Sequence, residues 1–160
     1  MSYTLAETYT KLRSQALGVT AEIVGSTEEV FGVLMETGYP EAVVTLVALA
    51  DGTASLYFSN GGGVIGAGQH AGPAVAARSL IAFAAHNVKR LDPTSETPLP
   101  KAGCTRFYML TRHGIFTAEA NEADLGENRD ALSPLFYAAH ELMAEMRKVE
   151  ETRGGAAPEA

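Results

Sequence analysis

Apolar positions recur along this chain with two periods, one helical and one strand-like. Thr4-x-x-Glu7 has the form of a capping box, and Leu5, Tyr9, Leu12 and Ala16 follow at helical spacing. The spacing predicts a first helix over 4–17, stopped by Gly18. Ser26-x-x-Glu29 is a second capping box. Val30, Phe31, Val33 and Leu34 after it predict a short second helix, ended by Gly38 and Pro40.

Residues 42–50 read Ala-Val-Val-Thr-Leu-Val-Ala-Leu-Ala and are apolar on both faces, as a central strand is. Asp51-Gly52 is a two-residue hairpin signal, and 53–59 returns as the second strand. A glycine-rich segment follows, in which Val64-Ile65 can add a short edge piece. Pro73 starts a long helix over 72–91 with Ala77, Ile81, Ala84 and Val88 as its core stripe and Leu80 and Phe83 beside it. Residues 92–101 carry Pro93, Pro98 and Pro100 and read as a loop.

The third and fourth strands are expected at 104–111 and 115–120, joined by a His113-Gly114 turn. Phe107 and Met109 oppose Tyr108 and Leu110, so both faces of the third strand are apolar and it belongs inside a sheet. Residues 121–130 form a polar, acidic loop. Ser133 caps the last helix and Pro134 begins it. Leu135, Leu142 and Val149 repeat every seven residues, with Ala139 and Met146 between them and Phe136 and Met143 flanking. About two heptads are too few for a coiled coil, so the stripe reads as core, although it could pack on a partner chain. Residues 154–160 read as a loose tail. The order α-α-β-β-α-β-β-α predicts an α+β fold, one domain over 1–153, with helices packed on a mostly antiparallel sheet of four to five strands.

The 160 residues suffice for one domain with a real core. A formal net charge of −7, from 12 basic and 19 acidic residues, excludes a general nucleic-acid binder. Lys89-Arg90 and Arg147-Lys148 fall near helix C-termini, where the dipole favours cations. The single cysteine, Cys104, excludes an internal disulfide and suits a reducing cytoplasm. The first seven residues lack a basic stretch leading into an apolar core, so no signal peptide is expected. The longest apolar run, 42–50, is too short to span a bilayer, and no membrane association is expected.

Five glycines fall in the eight residues 61–68. Gly61-x-Gly63-x-x-Gly66 formally matches a dinucleotide fingerprint, but the strand before it is half of a hairpin and the helix after it runs into Asp92-Pro93. No lysine follows the glycines, so a Walker A loop is absent. A weaker reading remains. Asn60, Gly61, Gly62, Gly63, Gly66, Gly68, Gln69 and His70 form a candidate ligand- or partner-binding segment, since glycine-loop amides beside a helix N-terminus can hold an anion. The alternative is a glycine bulge that lets the long helix lie flat on the sheet.

The histidines are His70, His86, His113 and His140. His140-Glu141 opens like a zincin helix, but position 144 is alanine, and neither a metal site nor a cofactor is expected. Cys104 reads as a small structural hydrophobe, with only Lys101 and Arg106 nearby to favour a thiolate. There is no Gly-x-Ser-x-Gly elbow, and Glu28, Glu29, Glu119, Glu122 and Asp124 read as caps and solvated surface. No residue is assigned a catalytic role.

The run of helix, Asp51-Gly52 hairpin, alanine-rich helix, hairpin and final helix over 26–151 resembles, in element order, the roadblock/longin group of profilin-like domains. The resemblance implies a five-stranded sheet in a small non-enzymatic dimer that scaffolds or regulates protein partners, often small GTPases. It brings no residue-level site. The expected function is a protein-interaction or regulatory module, homodimeric, with the glycine segment, the first helix or an exposed strand edge as interface. An inhibitor or immunity-type protein belongs to the same class, and the chain's acidity would suit a basic partner. The alternatives are a small-molecule sensor whose pocket is lined by 60–70, and an enzyme using His70 and a carboxylate.

Overall fold

The computed structural model describes residues 3–156 of the chain, with side chains through residue 152. The fold is α+β, built on an antiparallel sheet of seven strands rather than the expected four to five, ordered β4-β3-β2-β1-β6-β7-β5, with β1 and the short edge strand β5 added to the expected set. The strands are β1 (Val30–Gly38), β2 (Val43–Leu49), β3 (Ala54–Phe58), β4 (Gly63–Val64), β5 (Asp92–Thr94), β6 (Cys104–Thr111) and β7 (Gly114–Asn121). The helices are α1 (Glu7–Leu17), α2 (Ala21–Val24), α3 (Ala71–Ala85), α4 (Glu122–Gly126) and α5 (Ser133–Ala156).

The main departure from the pattern-based expectation is β1. Residues 30–38 form the central strand, not a helix, and every one of them is buried. β2 and β6 bind its two edges, so Val33 and Met35 face one helical layer while Leu34 and Glu36 face the other. A short run that is apolar on all sides fits a buried helix as well as a buried strand by periodicity alone. Ser26 caps no helix there; its hydroxyl accepts from the Glu28 amide at 3.1 Å in a local turn. The second helix instead lies earlier, at α2, where Thr20 accepts from the Ile23 amide at 3.3 Å and Gly25 ends it at φ 75°.

Other boundaries shift for local reasons. α1 starts at Glu7 without a side-chain cap, so the Thr4-Glu7 capping box is not formed. α3 stops at Ala85, where Asn87 Nδ2 donates to the Phe83 carbonyl at 3.0 Å, and a tight 3₁₀ turn takes 88–90. Asp92–Thr94 becomes edge strand β5, and an edge position tolerates Pro93 because only one side of the strand is paired. The β6–β7 turn consists of Arg112 and His113, with Gly114 already in β7 opposite Thr111. Within 121–130, Asn121 accepts from the Asp124 amide at 3.2 Å and caps α4. α5 runs through Ala156, so 154–156 are helical; 157–160 lie outside the described residues.

The sheet is covered on both faces. On one, Ala77, Leu80, Ile81 and Ala84 of α3 and Leu135, Ala139, Leu142 and Met146 of α5 bury Met35, Leu46, Phe107 and Met109. On the other, Tyr9 and Ala16 of α1 and Ala21 and Val24 of α2 bury Leu34, Val47, Tyr108 and Leu110. α3 leaves edge strand β4 and delivers the chain to the opposite edge at β5, so it spans the sheet.

Candidate functional site

The glycine segment is shaped by backbone requirements. Phe58 N donates to the Gly62 carbonyl at 3.2 Å and Gly61 N to the Phe58 carbonyl at 2.9 Å, which turns β3 into β4. A Cβ at Gly63 would run into the Leu56 carbonyl oxygen, and one at Gly68 into that of Gly52. Both positions therefore need glycine for close packing onto the neighbouring chain. Gly61, Gly62 and Gly66 sit at φ 105°, 90° and 83°. Asn60 is exposed in the turn, Gln69 is exposed in a 3₁₀ turn, and His70 is the exposed N-cap of α3, where its side chain makes no cap bond. His70 opens onto a surface depression of about 320 Å³ with Gly72, Pro73, Glu145, Lys148, Val149 and Thr152. Glu145 there is held by Lys148 Nζ at 3.0 Å. The eight candidate residues thus follow one another in a turn and do not converge on one cavity.

The strongest polar cluster is elsewhere, under α1. Strand register places Thr45, Glu36, Arg106 and Glu119 in one row across β2, β1, β6 and β7. Arg13 reaches down from α1 and donates to Glu36 Oε2 at 2.6 Å and Oε1 at 2.9 Å. It also donates to the Thr97 carbonyl at 2.9 Å, tying the proline-rich loop to the helix. Thr45 donates to Glu36 Oε2 at 2.9 Å, and the Tyr9 and Thr45 hydroxyls share a 2.8 Å bond. Burial and the nearby Glu36 charge push the Tyr9 and Tyr108 hydroxyls up to about 12. Burial opposes the Arg13 charge, but Glu36 outweighs it and holds the guanidinium above its ordinary value. Glu36 is fully buried with its oxygens bonded, so this row locks α1 to the sheet and offers no open position to a substrate.

The remaining reactive types sit apart from one another. Burial and Glu119 raise the Cys104 thiol, which disfavours the thiolate a nucleophile needs. His113 Nδ1 lies 2.6 Å from Glu29 on an exposed turn. Among the described residues no group of three or more His, Cys, Asp or Glu side chains could hold a metal ion.

One concave surface stands out. An open groove of about 740 Å³ runs between α3 and α5, lined by Ala71, Val75, Ala76, Leu80, Phe83 and Ala138 and edged by Glu141 and Glu145. Gly72 packs by Glu145, where a Cβ would stand 2.5 Å from Oε1, and Leu80 and Phe83 lie by Ala138. The two helices therefore run antiparallel. Val75 is 61% exposed and Phe83 36%. Phe83 sits in the core-side reading of α3, but the helix turns it outward into the groove. Nothing in the local sequence sets Val75 apart from the other apolar residues of α3.

No family model matches the chain. No curated protein and no solved structure matches it at significant similarity. No helix among the described residues is long and apolar enough to cross a membrane.

Proposed function

We propose that this chain is a protein-interaction module, non-enzymatic, whose contact face is the α3–α5 groove. The observation that carries the reading is an apolar groove with Val75 and Phe83 left in water at its rim. Large exposed apolar side chains grouped around a concavity mark contact sites more often than ordinary surface. The interfaces expected from the sequence are less suited. α1 spends its buried side chains, Tyr9 and Ala16, on the sheet. β4 is two residues long and β5 is three with a proline, so each edge offers little ladder to a visiting strand. The glycine segment uses its backbone internally.

Native mass spectrometry on protein purified gently from its own host, beside a Val75→Glu variant, tests the reading. An added protein mass, whether a second copy or another chain, that the variant loses supports it. A retained species of a few hundred daltons would favour a small-molecule sensor and overturn it, and bare monomer throughout would count against it.

A further inference from the structure

Resting on that reading, we infer that the groove seats an amphipathic helix of another protein that carries Lys or Arg along one flank of its apolar stripe. Ala71 to Phe83 is twelve helical steps, about 18 Å, which matches roughly three turns of a bound helix. The small side chains of Ala71, Gly72, Ala76, Ser79 and Ala138 let a third helix axis approach to about 8–10 Å. Val75 and Phe83 then stand as ridges to fit between its side chains. This is helix-in-groove recognition, with anchors at i, i+3 or i+4 and i+7.

Charge selects the occupant. Every charged side chain lining the groove is a carboxylate, Glu141 and Glu145, one turn apart on the same helix. Glu145 is bonded to Lys148, whose ammonium also interacts with Glu141 through space, so one cation serves two carboxylates and the groove edge stays net negative. The chain as a whole carries −7, so its field also favours a cationic visitor. A second copy docking by the same groove would bring the same two carboxylates, and its Lys148 is already bonded to its own Glu145, which disfavours self-pairing there.

The test uses the full chain and three labelled peptides of about 18 residues. One is helical with a leucine stripe flanked by lysines. A second has glutamates for the lysines, and a third has a central proline. Fluorescence anisotropy gives affinity, and amide chemical shifts give the site. The lysine peptide should shift amides over 71–83 and around Glu141, and bind at least about tenfold more tightly than either of the other two. Val75→Glu should abolish that binding even though it adds negative charge, and Glu141→Lys with Glu145→Lys should reverse the preference. Undiminished binding to Val75→Glu would mean attraction to diffuse surface charge and would overturn the inference. Equal binding of the lysine and glutamate peptides in the groove would overturn the inference while leaving the contact face intact. So would wild-type self-association that Val75→Glu abolishes. No groove shifts from any peptide up to about 1 mM, with no self-association, would overturn inference and reading together.

Discussion

The two faces of the sheet are closed in different ways. Beneath α3 and α5 the contacts are apolar, with Leu80, Leu135, Leu142, Phe107 and Met109 at most 1% exposed. Beneath α1 the apolar cluster surrounds a buried ion pair whose bonds reach a helix, two strands and the proline-rich loop. Apolar packing is non-directional, so the first face can hold its helices and still leave apolar surface facing outward. A buried charge must be matched bond for bond, so the second face admits α1 in one position and keeps nothing for a visitor. The groove lies on the face that is not committed by polar geometry.

The largest effect should come from breaking the ion pair. Arg13→Ala leaves Glu36 buried without its cation and should cost about 3–5 kcal/mol in urea unfolding. Arg13→Met with Glu36→Leu should recover most of that loss; a cost below about 1 kcal/mol for Arg13→Ala alone would erase the contrast between the faces. On the opposite face Leu142→Ala should cost about 3 kcal/mol, while Leu142→Met should cost less than about 1.5 kcal/mol, because shape and volume matter there more than any particular bond.

The faces should also answer to opposite ends of the pH scale. His140 packs against Phe136 with ring centroids 4.3 Å apart and planes tilted by 53°, and its Nε2 is buried without a hydrogen-bond partner among the described residues. Burial and the Arg147 charge lower its pKa. The unfolded chain therefore takes up this proton first, and stability should fall as pH drops from 6.5 through the lowered value. Tyr9 and Tyr108 are raised from 10.0 to about 12, so the unfolded chain loses those protons first and stability should fall as pH rises between those values. His140→Phe should lessen the fall on the acid limb of a stability–pH profile and leave the alkaline limb; Tyr9→Phe should lessen the alkaline fall, leaving the part due to Tyr108, and leave the acid limb. The smallest effect belongs to the groove rim. Val75→Ser should change unfolding stability by no more than about 0.5 kcal/mol, since the side chain is mostly in water, and a larger loss would make Val75 part of the core instead.

Elements whose signals lie within their own residues were legible in advance. The Asp51-Gly52 hairpin forms, with Gly52 at φ 93° and the Thr53 amide donating to Asp51 Oδ1 at 2.9 Å. β6 occupies 104–111 with Phe107 and Tyr108 on opposite faces, and Leu135, Ala139, Leu142 and Met146 are core, whereas Val149, the third member of the seven-residue repeat, is only partly buried beside His70. β1 was not legible, because its apolar run has no period that excludes a helix. The site was less legible still. The glycine segment drew attention by composition, yet glycine marks close backbone contact whether the neighbour is a ligand or, as at Gly63 and Gly68, the chain itself. Phe83 lies beside the core stripe of α3, and only the placement of α3 against α5 turns it into the groove.

The sequence by itself determined the α+β class, the hairpins, the apolar faces of β6 and α5 and the acidic surface, since each follows from residues close together in the chain. Tertiary structure alone decided that 30–38 is a strand, because only β2 and β6 can supply hydrogen bonds to both of its edges. It also decided that Glu36 is buried as an ion pair, because Arg13 reaches it from α1 across the sheet face, and that the α3–α5 groove exists at all. A groove is the gap between two helices about sixty positions apart, and no local pattern records how they lie against each other.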